Sequence, residues 1–202
     1  MFITFEGCEG VGKSTQLALL KDYLKRTGQD AVYVREPGST VISEKIRAVV
    51  LDPENSAMTA ETEALLYAAA RAQLVSEVIL PALAEGKTVI CDRYVDSSVA
   101  YQGYARGLGV EFVTAINRFA LENATPDITV FIDLRPDGAF RSVSRDDRLE
   151  RESAAFHDRV YQGFVAQSQA SNGRFVMIKP EKDKFDTHHK IVDALRKRGA
   201  IK

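Results

Sequence analysis

Two groups of residues in this sequence could do chemistry on phosphate. Gly7-Cys8-Glu9-Gly10-Val11-Gly12-Lys13-Ser14 matches the spacing G-x-x-x-x-G-K-[ST] at every fixed position, and Thr15 extends it. Glycines let such a loop curl until several backbone N–H groups point at one anion, and a following helix adds partial positive charge. Lys13 then reaches the β- and γ-phosphates of a nucleoside triphosphate, and the Ser14 hydroxyl can ligate Mg²⁺. The second group is Asp92-Arg93-Tyr94. An acid at the end of an apolar strand is placed to hold Mg²⁺ directly or through water, and Arg93 beside it offers a fork to a phosphate. The bland alternatives are a glycine-rich turn and a surface ion pair. The loop alone separates neither a kinase from a GTPase switch nor either from a motor ATPase.

The elements that must position these groups can be read from periodicity. Short apolar runs at Phe2 to Phe5, Ala31 to Arg35, Thr88 to Cys91, Ile128 to Leu134 and Arg174 to Ile178 are predicted strands. Between them lie segments of helical period. Lys13 to Arg26 carries Leu17, Leu20 and Leu24 on one face, with Gly28 as a stop. Val41 to Leu51 is predicted to turn Ile42, Ile46, Val49 and Val50 inward. Ala60 to Ala84 is a long helix, bent or broken near Pro81. Val110 to Asn123 has Phe112, Ile116 and Phe119 on one side, and Ser153 to Ser168 has Phe156, Val160 and Phe164 in register. Asp186 to Lys197 is the last helix. Strands alternating with helices imply βαβ units. The expected fold is α/β: one three-layer sandwich over residues 1–202 with a mainly parallel five-stranded sheet, of the P-loop NTPase type. In such folds ligands sit beyond the carboxyl ends of the strands, where both phosphate motifs fall.

Composition narrows the partners. Twenty-seven basic against 28 acidic residues leave a net charge of −1, which argues against a duplex nucleic acid or an anionic membrane surface. No uninterrupted apolar run reaches the ~20 residues of a membrane span, and Met1 to Glu6 reads as folded structure without a basic leader. Two cysteines are too few for a disulfide framework and suit a reducing cytoplasm.

Taken together, Phe5-Glu6-Gly7 with Gly12-Lys13-Ser14-Thr15, Arg35-Glu36-Pro37-Gly38, Leu65 to Gln73, Asp92-Arg93-Tyr94, Ser97-Ser98, Ala100-Tyr101-Gln102-Gly103 and Asp147-Arg148-Leu149-Glu150 resemble the bacterial thymidylate kinases, in their order and spacing. The resemblance runs from Phe2 to about Gly163. It implies transfer of a phosphoryl group from ATP to thymidine monophosphate with Mg²⁺, and a homodimer. It also implies site roles. Arg93 holds the acceptor phosphate with help from Arg47. Tyr67 stacks on thymine, and Arg71 bonds its exocyclic oxygen. Ser97 and Gln102 read the base edge, and Glu9 and Glu36 lie near the acceptor phosphate and sugar. Positions 67 and 71 share one helix face, which supports that pairing independently. Two departures concern selectivity: Ser39 where the family often has a second glycine, and Tyr67 where it usually has Phe.

Residues 141–152 hold four arginines and four acids with almost no apolar residues. The bland reading is a solvated loop. The sharper one is a mobile lid over ATP whose arginine, Arg145 first and Arg148 second, supplies charge to the transferring phosphoryl group. Cys8 lies at a helix start, where a thiol pKa tends to fall, although a filler role is the simpler reading. Cys91 reads as buried and inert, His157 as packed on its helix, and His188 and His189 as exposed. A kinase for another nucleotide and a nucleotide-dependent switch or binding module stay open as rivals.

Overall fold

The computed structural model describes residues 1–136 and 147–202. Five strands form one parallel sheet: β1 (Phe2–Glu6), β2 (Ala31–Arg35), β3 (Thr88–Asp92), β4 (Ile128–Ile132) and β5 (Phe175–Ile178). Their spatial order is β2-β3-β1-β4-β5. The chain leaves β1 toward one edge and later crosses back to β4 on its other side. The crevice at the carboxyl end of β1 is therefore a topological switch point, where α/β folds bind ligands.

Alternation along β1 decides what each face receives. Ile3 and Phe5 point to α1 (Lys13–Arg26) and α8 (Lys184–Lys197), packing with Leu20, Leu24, Ile191 and Leu195. Phe2 faces the opposite layer and meets the Tyr94 ring edge-on at 5.0 Å. That layer holds α2 (Val41–Leu51), α3 (Ala60–Ala84), α4 (residues 95–105), α5 (Val110–Ile116), α6 (Arg118–Asn123) and α7 (Ala154–Ala170). Thr4 and Glu6 share the face of Phe2 and are fully buried.

The expected break near Pro81 takes the form of a π turn at Val75–Ile79 in which Leu80 N–H reaches Val75 O, before the helix resumes over Leu80–Ala84. Proline lacks the N–H that the regular ladder needs there. By length and composition this 25-residue helix could also cross a membrane. The sequence misses that because Glu61, Glu63, Arg71 and Glu77 interrupt the apolar run. In the fold it is a core helix, burying Ala64, Ala70, Leu74, Val75 and Ile79.

Two helix faces differ from expectation. On α2, Ser43 and Val50 are buried while Val41, Ile42 and Val49 are exposed. In the 110–123 segment, Asn117 at φ −100° splits the helix in two. Val113, Asn117 and Ala120 face inward there, and Phe112 and Phe119 face out. Apolar spacing identifies a face that shuns water, not what covers it. His188 is buried against Tyr23, contrary to its expected exposure, while His157 and Cys91 are buried as expected. Cys8 is also buried. Desolvation pushes its thiol up to about 12 against the pull of Arg93 and Lys13, which outweighs any helix-start effect and leaves the filler reading.

Candidate active site

The phosphate loop leaves β1 at Gly7, whose φ is 151°; a Cβ there would lie 2.9 Å from Val11 Cγ2 and 3.1 Å from Ile132 O. Gly12 caps α1 in the left-handed region at φ 93°, and among the described residues no side chain caps the N–H groups of the first turn. Those donors stay available to an anion. Lys13 is buried beneath the loop, with Nζ 3.4 Å from Gly7 O. Burial and the nearby Arg93 lower its pKa, partly countered by Glu9 and Asp92.

The second phosphate motif arrives at the end of β3. Arg93 N–H donates to Phe5 O, which prolongs the pairing of β1 with β3. Arg93 itself lies at φ 66°. For a non-glycine residue that conformation costs about 1–2 kcal/mol, so the surroundings must impose it. Its guanidinium donates to Glu9 Oε1 at 2.6 Å, Gly7 O at 3.1 Å and Ser97 Oγ at 3.2 Å, and sits over the Tyr101 ring. Burial pushes the Glu9 carboxyl up, but Arg93, Lys13 and the Tyr101 hydroxyl outweigh it and hold it at about 2. Burial likewise opposes the Arg93 charge, and Glu9 more than offsets it.

One cavity gathers most of the expected residues. Glu9, Lys13 and Ser14 line it from the phosphate loop, Asp92, Arg93, Ser97 and Gln102 from the β3 side, and Glu36, Arg47 and Tyr67 from the far wall. Arg47 Nη1 donates to Pro37 O at 2.9 Å. The Glu36-Pro37 peptide is cis, and Ser39 takes φ 68° where a glycine would serve. The Ser39 side chain compensates: its hydroxyl accepts from Arg35 N–H at 2.8 Å, while its own N–H donates to Glu44 at 2.7 Å. Asp92 Oδ1 is buried and has no hydrogen-bond partner among the described residues. That orphaned oxygen, in one cavity with the Ser14 hydroxyl, suits a hard cation with oxygen ligands.

Several expected site residues are already paired with protein groups. Arg71 is 1% exposed and does not line the cavity. Its Nε donates to Glu36 Oε2 at 2.8 Å and its Nη1 to Asn117 Oδ1 at 2.6 Å, which places it behind Glu36. Burial pushes the Glu36 carboxyl up, with Arg71 pulling the other way. Glu36 Oε1 faces no partner among the described residues. Arg148 is also committed: Nη2 reaches Glu63 Oε2 at 2.5 Å and Nε reaches Val50 O at 3.3 Å, so it braces α2 against α3. It does not line the cavity, whereas its neighbours Asp147, Leu149 and Glu150 do. The Ser97 hydroxyl proton is already given to Glu6 at 2.6 Å. Gln102 Nε2 donates to Glu63 Oε1 at 2.8 Å. Arg141 and Arg145 lie outside the described residues.

Glu63, unremarked in the sequence, is a hub that is fully buried and accepts from Gln102, Arg106 and Arg148. Burial pushes its carboxyl up, but those bonds leave it below the ordinary range. An acid three residues into a capped helix reads as an N-terminal charge, so its partners at positions 102, 106 and 148 carry no local signal. Tyr101, above the Arg93 guanidinium, did stand within a recognised motif.

Comparison with known proteins agrees with this fold. The sequence profile of the thymidylate kinase family matches residues 5–191. A thymidylate kinase of Thermoanaerobacter sp. (strain X514) is 46% identical over 198 residues, covering 97% of each chain. One from Desulfosudis oleivorans is 49% identical over 188 residues, covering 88% of each. The crystal structure of a thymidylate kinase from Ehrlichia chaffeensis superposes with a TM-score of 0.79 at 32% identity, over 97% of this chain and 98% of that one.

Proposed function

The chain belongs to the thymidylate kinase family, and on that premise we propose that it transfers the γ-phosphoryl group of ATP to thymidine monophosphate, giving ADP and thymidine diphosphate. The observation that carries this reading is one cavity lined by the phosphate loop together with Arg93, Arg47 and Tyr67.

An oxygen of the acceptor phosphate attacks the γ-phosphorus, and the bond to the β-phosphate oxygen breaks as ADP leaves. Catalysis here is positioning and charge. Loop N–H groups and Lys13 hold the donor phosphates, and Arg93 with Arg47 holds the acceptor phosphate opposite them. Glu9, kept ionised by Arg93, shapes the sugar side. Tyr67 offers its ring to the base. Ser14 and Asp92 would hold Mg²⁺, which when bound neutralises charge on the phosphate oxygens. Arg145 is assigned, from the family resemblance, the charge on the transferring group. Arg145→Ala should then lower kcat with little change in the monophosphate KM; equal loss in both would contradict that role.

The protein is further read as a cytoplasmic homodimer. Support for the dimer comes from exposed apolar side chains on neighbouring helices: Val41, Ile42 and Val49 on α2, Leu65 on α3, and Phe112 and Phe119 on α5 and α6. Sedimentation should show two chains per particle, and Ile42→Glu with Phe119→Glu should yield one. A wild-type monomer would contradict it. Support for the cytoplasm comes from the two free, buried cysteines.

The reaction is tested by ADP release across a panel of nucleoside monophosphates. Release requiring both ATP and thymidine monophosphate is expected. Preference for another monophosphate, or for unphosphorylated thymidine, would reassign the substrate. ATP binding with no transfer to any acceptor would favour a binding module.

A further inference from the structure

Glu6 ends β1 and is fully buried, yet the reaction as described does not use it. Strand alternation turns it toward the layer of α4. There its Oε1 accepts the Tyr94 N–H at 2.8 Å, and its Oε2 accepts the Ser97 hydroxyl at 2.6 Å. Ser97 Oγ in turn accepts from Arg93 Nη1 at 3.2 Å. The N-cap of α4 is Tyr94, and Glu6 takes its N–H from another element, the place that an acid at the third helical position fills in a capping box and that Ser97 holds here. Both bonds fall on residues just after Arg93, whose left-handed backbone needs outside support.

We propose that Glu6 is a positioning residue for the acceptor phosphate: its two oxygens clamp the 94–97 turn, and through that turn and Ser97 they aim the Arg93 guanidinium into the cavity. The inference rests on reading Arg93 as the holder of that phosphate. The other charged groups around Glu6 fit the role. Asp96, on the same turn, is neutralised by Arg174, which contacts both of its carboxylate oxygens at 2.6 and 2.7 Å. Thr129 joins that pair from β4 and also meets Thr4, the other polar residue on this face of β1. The acidic pair is thus anchored on one side by Arg174 and on the other by the catalytic turn. A glutamine at position 6 keeps the shape and one acceptor but presents a donor to Ser97. The Ser97 hydroxyl must then give up its proton's partner, and its hold on Arg93 loosens.

The experiment compares wild type, Glu6→Gln, Ser97→Ala and the double variant. It measures calorimetric affinity for thymidine and deoxyuridine monophosphates, kcat and KM, and the unfolding midpoint. Because the phosphate is common to both ligands, Glu6→Gln should weaken both by one factor of about ten, as a displaced supporting group does. Its midpoint should stay at or above wild type, since burial and the neighbouring Asp96 push the Glu6 carboxyl up and an uncharged amide escapes both costs. Ser97→Ala should also weaken both ligands equally, and the double variant should lose no more than the worse single one. Unchanged affinity with a lower midpoint would overturn the inference. So would losses that multiply, or a Ser97→Ala effect that differs between the two bases. If Glu6→Gln does not fold, Ser97→Ala decides by the same criterion. A wild type that binds neither monophosphate removes the functional reading itself; one that binds both, with Glu6→Gln binding equally well, removes only the role of Glu6.

Discussion

The two ends of the cavity are built on different principles. At the phosphate end, the ends of β1 and β3 meet, and backbone decides the geometry: the left-handed Gly12, the left-handed Arg93 and the open first turn of α1. At the end proposed for the base, Glu63, Tyr67 and Arg71 of α3 meet Glu36 from the loop after β2 and Gln102 from α4, and side-chain pairing decides the geometry. The first arrangement tolerates little. In the second, charged groups mostly hold one another.

Variants at the two ends should therefore fail differently. The largest loss is expected at the phosphate end. Arg93→Ala removes the acceptor clamp and should cost about 10³-fold in kcat/KM, on the scale of losing a preorganised charge contact. A loss below tenfold would place the acceptor phosphate elsewhere. At the base end, Arg71→Ala strands the buried Glu36 and should destabilise the fold by about 3–5 kcal/mol in denaturant unfolding. The ratio of thymidine to deoxyuridine monophosphate activity should hardly move. An intact fold with altered base choice would instead put Arg71 in contact with the base. Tyr67→Ala should raise the monophosphate KM by about tenfold, the scale of one lost stacking contact, while the ATP KM stays put. An unchanged monophosphate KM would remove the stacking role.

The smallest effect is a pH dependence at the phosphate end. Glu9 is held at about 2 against an ordinary value of 4.5. A depressed carboxyl stabilises the fold fully above its unfolded value and loses that contribution as pH falls through its folded value. The stability advantage of wild type over Glu9→Gln should thus shrink as pH drops from 4.5 toward 2. A constant difference would mean that Glu9 is not held by Arg93.

What the sequence shows follows the same division. Gly7, Gly12, Lys13 and Arg93 are legible because their spacing is local and each has a backbone consequence. The parallel sheet is legible because short apolar runs alternate with helical period. Arg71 and Glu36 are 35 positions apart, and Glu63 meets Arg148 from 85 positions away, so neither pairing leaves a trace in local pattern. Nor does spacing tell a buried apolar face from an exposed one, so the outward direction of Ile42, Val49, Phe112 and Phe119 does not show in the sequence. Glu6 belongs to the same class: inside an apolar strand it gives no hint that it holds a turn 88 residues further on.

The central claim is that donor and acceptor phosphates meet in one cavity, between the phosphate loop and Arg93. The most direct test is calorimetry with adenosine and thymidine joined through five phosphates, a length that spans both anion sites. One such molecule should bind per chain and displace both ATP and thymidine monophosphate, more tightly than either alone. Displacement of only one of the two, or binding of two molecules per chain, would contradict a shared cavity.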